Sequence, residues 1–128
     1  MPEMNETGYL VITVRTAGGA LPVENAIVTV KDGQGRILYV KFTDASGRTP
    51  RLRLASPPLE NSESPNAPSP PFYTYTVDTD KEGFVSVRNS LVPIYPTVTS
   101  IQPVELIPLS EGERSGRITY VESEAPRL

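Results

Sequence analysis

From Tyr9 to Thr16 the side chains change character at every second residue: Leu10, Ile12 and Val14 fall on one face, and Tyr9, Val11, Thr13 and Arg15 on the other. A period of two is the mark of an extended strand with one face turned to a core. After Ala17-Gly18-Gly19-Ala20 the same rhythm returns, setting Ala26, Val28 and Val30 against Ile27, Thr29 and Lys31. The chain also carries 14 prolines, which are excluded from helix interiors and from central strands. Short strands joined by fixed turns satisfy both constraints, so an all-β fold is expected. A length of 128 residues suits one domain able to bury a core without disulfides or metals.

Further strands are expected at 36–43, 49–54, 72–78, 84–88 and 98–107. Asp32-Gly33-Gln34-Gly35 is a hairpin signal in which Asp-Gly accepts the positive φ angles of a primed turn. In 49–54, Leu52 and Leu54 alternate with Arg51 and Arg53. In 72–78, Tyr73, Tyr75 and Val77 share a face. The stretch 56–71, SPPLENSESPNAPSPP, is too rich in proline to pair and reads as a long loop of polyproline character. Between Val92 and Leu109 the prolines 93, 96, 103 and 108 confine any strand to a sheet edge or to short pieces with bulges. The organisation expected is an extension at 1–7, a sandwich over 8–110 containing the 56–71 loop, and a tail at 111–128 with an extra strand at 117–122.

Composition removes most catalytic chemistry. With no His and no Cys, there is no imidazole base, no thiol nucleophile and no common zinc, copper or haem ligand set. No acid–base pair or nucleophile constellation stands out, so the chain is read as a non-enzyme with no cofactor. A net charge of −3 with scattered Lys and Arg argues against a nucleic-acid partner. The start MPEMNETGYL has no basic stretch before an apolar run, and no segment reaches the length of a membrane span. Neither a signal peptide nor a membrane partner is expected.

Three segments resemble a known pattern. Pro22-Val23-Glu24-Asn25-Ala26-Ile27-Val28-Thr29-Val30 is similar to the "P-V-x-G-A-x-V-x-V" opening of carboxypeptidase regulatory-like domains, with Asn25 where Gly is commoner. Thr43-Asp44-Ala45-Ser46-Gly47 resembles their "T-D-x-x-G" turn. Tyr75-Thr76-Val77 with Lys81-Glu82-Gly83-Phe84 resembles their "Y-x-V … x-x-G-Y/F" hairpin. The resemblance implies a transthyretin-like or Cna-B-like antiparallel β-sandwich of seven to eight strands, used as a spacer, stalk or accessory module. Asn89 to Pro96 and Thr99 to Val104 are similar to short stand-alone members from spore-forming Gram-positive bacteria. That similarity implies a structural protein of a spore, cell surface or phage particle, made in the cytoplasm.

Four candidate sites follow. Cna-B domains often join a Lys to an Asn through an isopeptide bond beside an acid; Lys31 or Lys41 with Asn89 and Glu105 are the available residues, and ordinary surface roles are the simpler reading. Asp78, Asp80 and Glu82 alternate as calcium ligands would, though a solvated turn explains them as well. Phe72 and Tyr95, with Tyr73 and Tyr75, offer aromatic faces to peptidoglycan or another glycan. Either end, residues 1–7 or 117–122, could add a strand to another copy, the C-terminal run being apolar at Ile118, Tyr120 and Val121, and repeated head to tail this builds a filament. The expected partner is therefore the chain itself, with a glycan as the alternative.

Overall fold

The computed structural model describes residues 6–58, 72–110 and 118–122. Among the described residues nine strands run in chain order: β1 (Glu6–Thr16), β2 (Leu21–Pro22), β3 (Ile27–Lys31), β4 (Ile37–Phe42), β5 (Leu52–Ser56), β6 (Tyr73–Asp80), β7 (Ser86–Ile94), β8 (Thr99–Glu105) and β9 (Ile118–Glu122). They form two sheets. In the first, β1 is flanked by β2 and β5 and, along Tyr9 to Arg15, by β8. The second has the order β4-β3-β6-β7-β9. The expected all-β sandwich is present.

Two ladders run parallel, β1 with β8 and β7 with β9. Both join strands far apart in sequence, which is what a parallel pair demands, since a tight hairpin can only make an antiparallel one.

The core lies between the sheets. Leu10, Ile12 and Val14 of β1, Leu52 and Leu54 of β5, and Val104 beyond them meet Val28, Val30, Val77, Val87, Val92 and Ile94 of the second sheet. The alternating faces assigned to β1 and β3 are the buried ones. Tyr75 also enters the core, its hydroxyl donating to the Ala55 carbonyl at 2.5 Å and so tying β6 to the edge of the opposite sheet. Burial, with the nearby Tyr73 and Asp32 charges, pushes that phenol up to about 12.

Turn chemistry fixes the strand order. The Asp44 carboxylate accepts from the amides of Ser46 (2.9 Å) and Arg48 (3.0 Å). Gly47 then turns with φ 79°, where a Cβ would strike the Val14 carbonyl. The Asp32 turn works likewise, its carboxylate taking the amides of Gln34 and Arg36 at 2.9 Å. Its positive φ falls on Gly35, at 83°, rather than on the Asp-Gly pair. A carboxylate that caps the turn from its first residue removes the need for a primed geometry there.

Ser56, the expected first residue of the proline-rich loop, is buried as the last residue of β5 and pairs with Glu6. Residues 59–71 of that loop lie outside the described residues.

Candidate functional site

Phe72 and Tyr95 stand side by side. Tyr73 pairs with Ile94, so the next positions outward oppose Phe72 to Tyr95, and their rings meet at 5.3 Å with a 51° tilt. Both are half-buried. The Tyr95 hydroxyl is enclosed with no hydrogen-bond partner among the described residues, and burial raises its pKa. Beside them, a shallow depression of ≈ 530 Å³ lies between the Asp32 turn and the start of β6, lined by Phe72, Tyr73, Thr74 and Arg36 among others. Tyr75 is withdrawn into the core and Tyr73 packs against it. The four aromatics thus divide between an outer pair and two inward rings.

The C-terminal candidates lie at the far edge of the second sheet. Residues 118–122 pair with Ser86 to Ser90 through five positions, from Ser86 with Ile118 to Ser90 with Glu122. Val121 sits opposite the buried Asn89 and is itself 42% exposed. The side chains of Ile118 and Tyr120 lie outside the described residues. Among the described residues β9 has one neighbour, β7.

The opposite edge, β4, was not singled out by the sequence. Among the described residues it pairs with β3 alone. Ile37, Val40 and Phe42 are 62%, 52% and 60% exposed, and Ile27 of β3 adjoins Phe42. The signal was there in Ile37-Leu38-Tyr39-Val40-Lys41-Phe42, which is apolar on both faces where a strand half-covered by a core alternates.

The isopeptide residues are not brought together. Asn89 faces the core with its Oδ1 unpartnered. Lys31 alternates with the buried Val30 and so lies on the outer face, bonded to Asp78 at 2.9 Å. Lys41 projects over Tyr39, three strands from Asn89, and Glu105 is exposed on the other sheet. Nor do the acidic residues form a cation cage. Asp78 is engaged by Arg88 through Nε at 2.7 Å and Nη2 at 3.0 Å as well as by Lys31, and Asp80 accepts from the Ser86 hydroxyl. Among the described residues no group of three or more His, Cys, Asp or Glu is placed to hold a metal ion. No helix among the described residues is long and apolar enough to cross a membrane.

No protein-family model matches the chain, and no curated protein matches it in sequence. Solved structures do resemble it. The minor pilin GBS52 of Streptococcus agalactiae is similar with a TM-score of 0.58 at 14% identity, over 88% of this chain and 49% of the pilin. The 3-chlorocatechol 1,2-dioxygenase of Rhodococcus opacus gives 0.55 at 13%, over 84% and 62%. The major pilin subunit BcpA of Bacillus cereus gives 0.50 at 13%, over 79% and 29%. This chain therefore spans about half of the minor pilin and under a third of the major one. At such identities the likeness is one of fold. The pilins carry the Cna-B-like side of the resemblance, while its carboxypeptidase regulatory-like side rests on the sequence motifs. Because one sandwich serves both pilins and dioxygenases, the fold does not assign an activity.

Proposed function

We infer that this chain is a non-catalytic structural module that assembles at a cell, spore or particle surface, with the sandwich as rigid body and the C-terminal strand as connector. The observation that carries this reading is β9: five residues paired along the edge of β7, with one neighbouring strand among the described residues. Seven residues separate Ser110 from β9, a length that spans up to roughly 25 Å when extended. A strand so tethered can be given to the same edge of a second copy with every backbone pair retained, and head-to-tail repetition yields a fibre. The pilin-like fold supports a surface role, as do the motifs similar to spore-former proteins. Sizing and negative-stain microscopy test it. Ser90→Cys with Glu122→Cys, oxidised in the monomer, locks β9 onto its own sheet in a chain that has no other cysteine; fibres should vanish on oxidation and return on reduction. Fibres indifferent to the lock would refute the exchange.

A second reading, a module that binds peptidoglycan or another glycan beside a wall-lytic enzyme, draws on the outer Phe72–Tyr95 pair. Retention on purified cell wall, lost in Phe72→Ala, is its expected outcome.

A further inference from the structure

Among the described residues β4 is an outermost strand of the five-stranded sheet. The Thr43 amide donates to Ala26 O and its carbonyl accepts from Asn25 N, both at 3.0 Å, so Thr43 turns its polar backbone toward β3. Backbone direction alternates along a strand, and Val40 and Phe42 therefore turn their N–H and C=O groups outward. Their side chains share the outer face with Ile27 and Thr29, their partners on β3. Unpaired backbone and exposed apolar side chains coincide on these residues.

We propose that two copies of this chain pair antiparallel, β4 to β4, about a two-fold axis at Val40, joining their five-stranded sheets into one continuous sheet. The choice of a second copy over another strand rests on how this register treats charge. With Val40 opposite Val40, Leu38 falls opposite Phe42, and Lys41 opposite Tyr39 rather than opposite itself. Within one chain the Lys41 ammonium already lies 6.0 Å from the Tyr39 ring centroid; across the axis a second ring of the same kind receives it. Beyond the strand ends, Arg36 of one copy runs toward Asp44 of the other, again opposite in sign. A lysine facing the core side of an edge strand, together with the register shift opposite Val30/Lys31, discourages indiscriminate pairing. The two-fold register gives the lysine a second ring beside the one it has in its own chain.

This interface is independent of β9 exchange, so the two ideas fail separately. Sedimentation of the full chain should show a reversible dimer that persists in the oxidised Ser90→Cys/Glu122→Cys protein. Val40→Lys, which sets two ammonium groups on the axis, should sediment as a folded monomer with its melting cooperativity intact. Val40→Cys should form a symmetric disulfide far faster than Ile101→Cys, which is as exposed, at 65%, on the opposite sheet. A wild type that stays monomeric at high concentration overturns the proposal, and so does equal cross-linking at both cysteines.

Discussion

The two edges of the five-stranded sheet end in opposite ways. At β7 the chain supplies its own covering strand, brought back in parallel from a distant part of the sequence. At β4 the covering strand is absent among the described residues, and the outer face carries Phe42, Val40 and Ile27 in the open. Edge strands invite pairing unless they are blocked, charged or covered. One edge is thus closed by a strand from late in the chain, and the other is left open among the described residues with a single lysine as its guard. The lesson is that the two edges of one sheet can be handled differently, one by covering it and one by charge alone.

The largest expected effect comes from removing the cover. Deleting 118–128 takes five cross-strand pairs from β7, and at roughly half a kcal/mol each this costs about 2–3 kcal/mol. Val40→Thr on the open edge should move stability by less than about 0.5 kcal/mol, as exposed substitutions do. Urea midpoints at low protein concentration compare the two, and equal losses would erase the distinction between the edges.

Between the edges, Asp78 ties β3, β6 and β7 across the outer face through Lys31 and Arg88. Burial raises its pKa, but the Arg88 hydrogen bonds and then Lys31 outweigh it and leave the carboxyl below its ordinary value. A depressed folded-state pKa contributes stability that is complete above the unfolded value and is lost as pH falls through the folded one. Asp78→Asn should therefore cost about 1–2 kcal/mol at neutral pH, a figure held down by the partial exposure of all three side chains. The gap should close below about pH 4. Asp32 and Asp44, also lowered, chiefly by backbone amides of Arg36 and Arg48, keep some acid sensitivity in both proteins, so the difference between melting curves across pH isolates Asp78.

What the sequence disclosed and withheld follows from the range of the interactions. The faces of β1 and β3 were legible because alternation is local, and Asp44 and Gly47 because turn chemistry spans four residues. Val85, Val87 and Asn89 share a phase that Val92 and Ile94 break. The structure explains the break as a bulge: Tyr75 pairs with Val92 and Val77 with Asn89, leaving Ser90 and Leu91 opposite Thr76 alone. The pairing of Phe72 with Tyr95 depends on that shifted register, which no periodicity reveals. The parallel seating of β8 on β1 and of β9 on β7 was equally hidden, because a parallel partner is chosen by tertiary packing across long separations. On β4 the residue types were visible, but their exposure depends on which strands the sheet places beyond them.

Each edge also holds one residue in the left-handed region, and these give the smallest and sharpest test. Leu91, φ 59°, forms the bulge in β7 just beyond the end of β9; Asn25, φ 61°, holds the end of β4 through the hydrogen bond its backbone N–H donates to the Thr43 carbonyl. A leucine in that conformation costs about 1–2 kcal/mol, whereas asparagine visits it readily. Leu91 is 49% exposed, so its side chain returns only part of that cost in burial. Leu91→Gly removes the clash and adds roughly 0.5–1 kcal/mol of backbone entropy loss, for a net gain of about 0.5 kcal/mol. Asn25→Gly relieves little and should change stability by no more than a few tenths of a kcal/mol. Paired thermal melts read the contrast. If Leu91→Gly destabilises, the half-covered leucine side chain outweighs its strained backbone, and the bulge is packed into the β7–β9 edge more firmly than its geometry indicates.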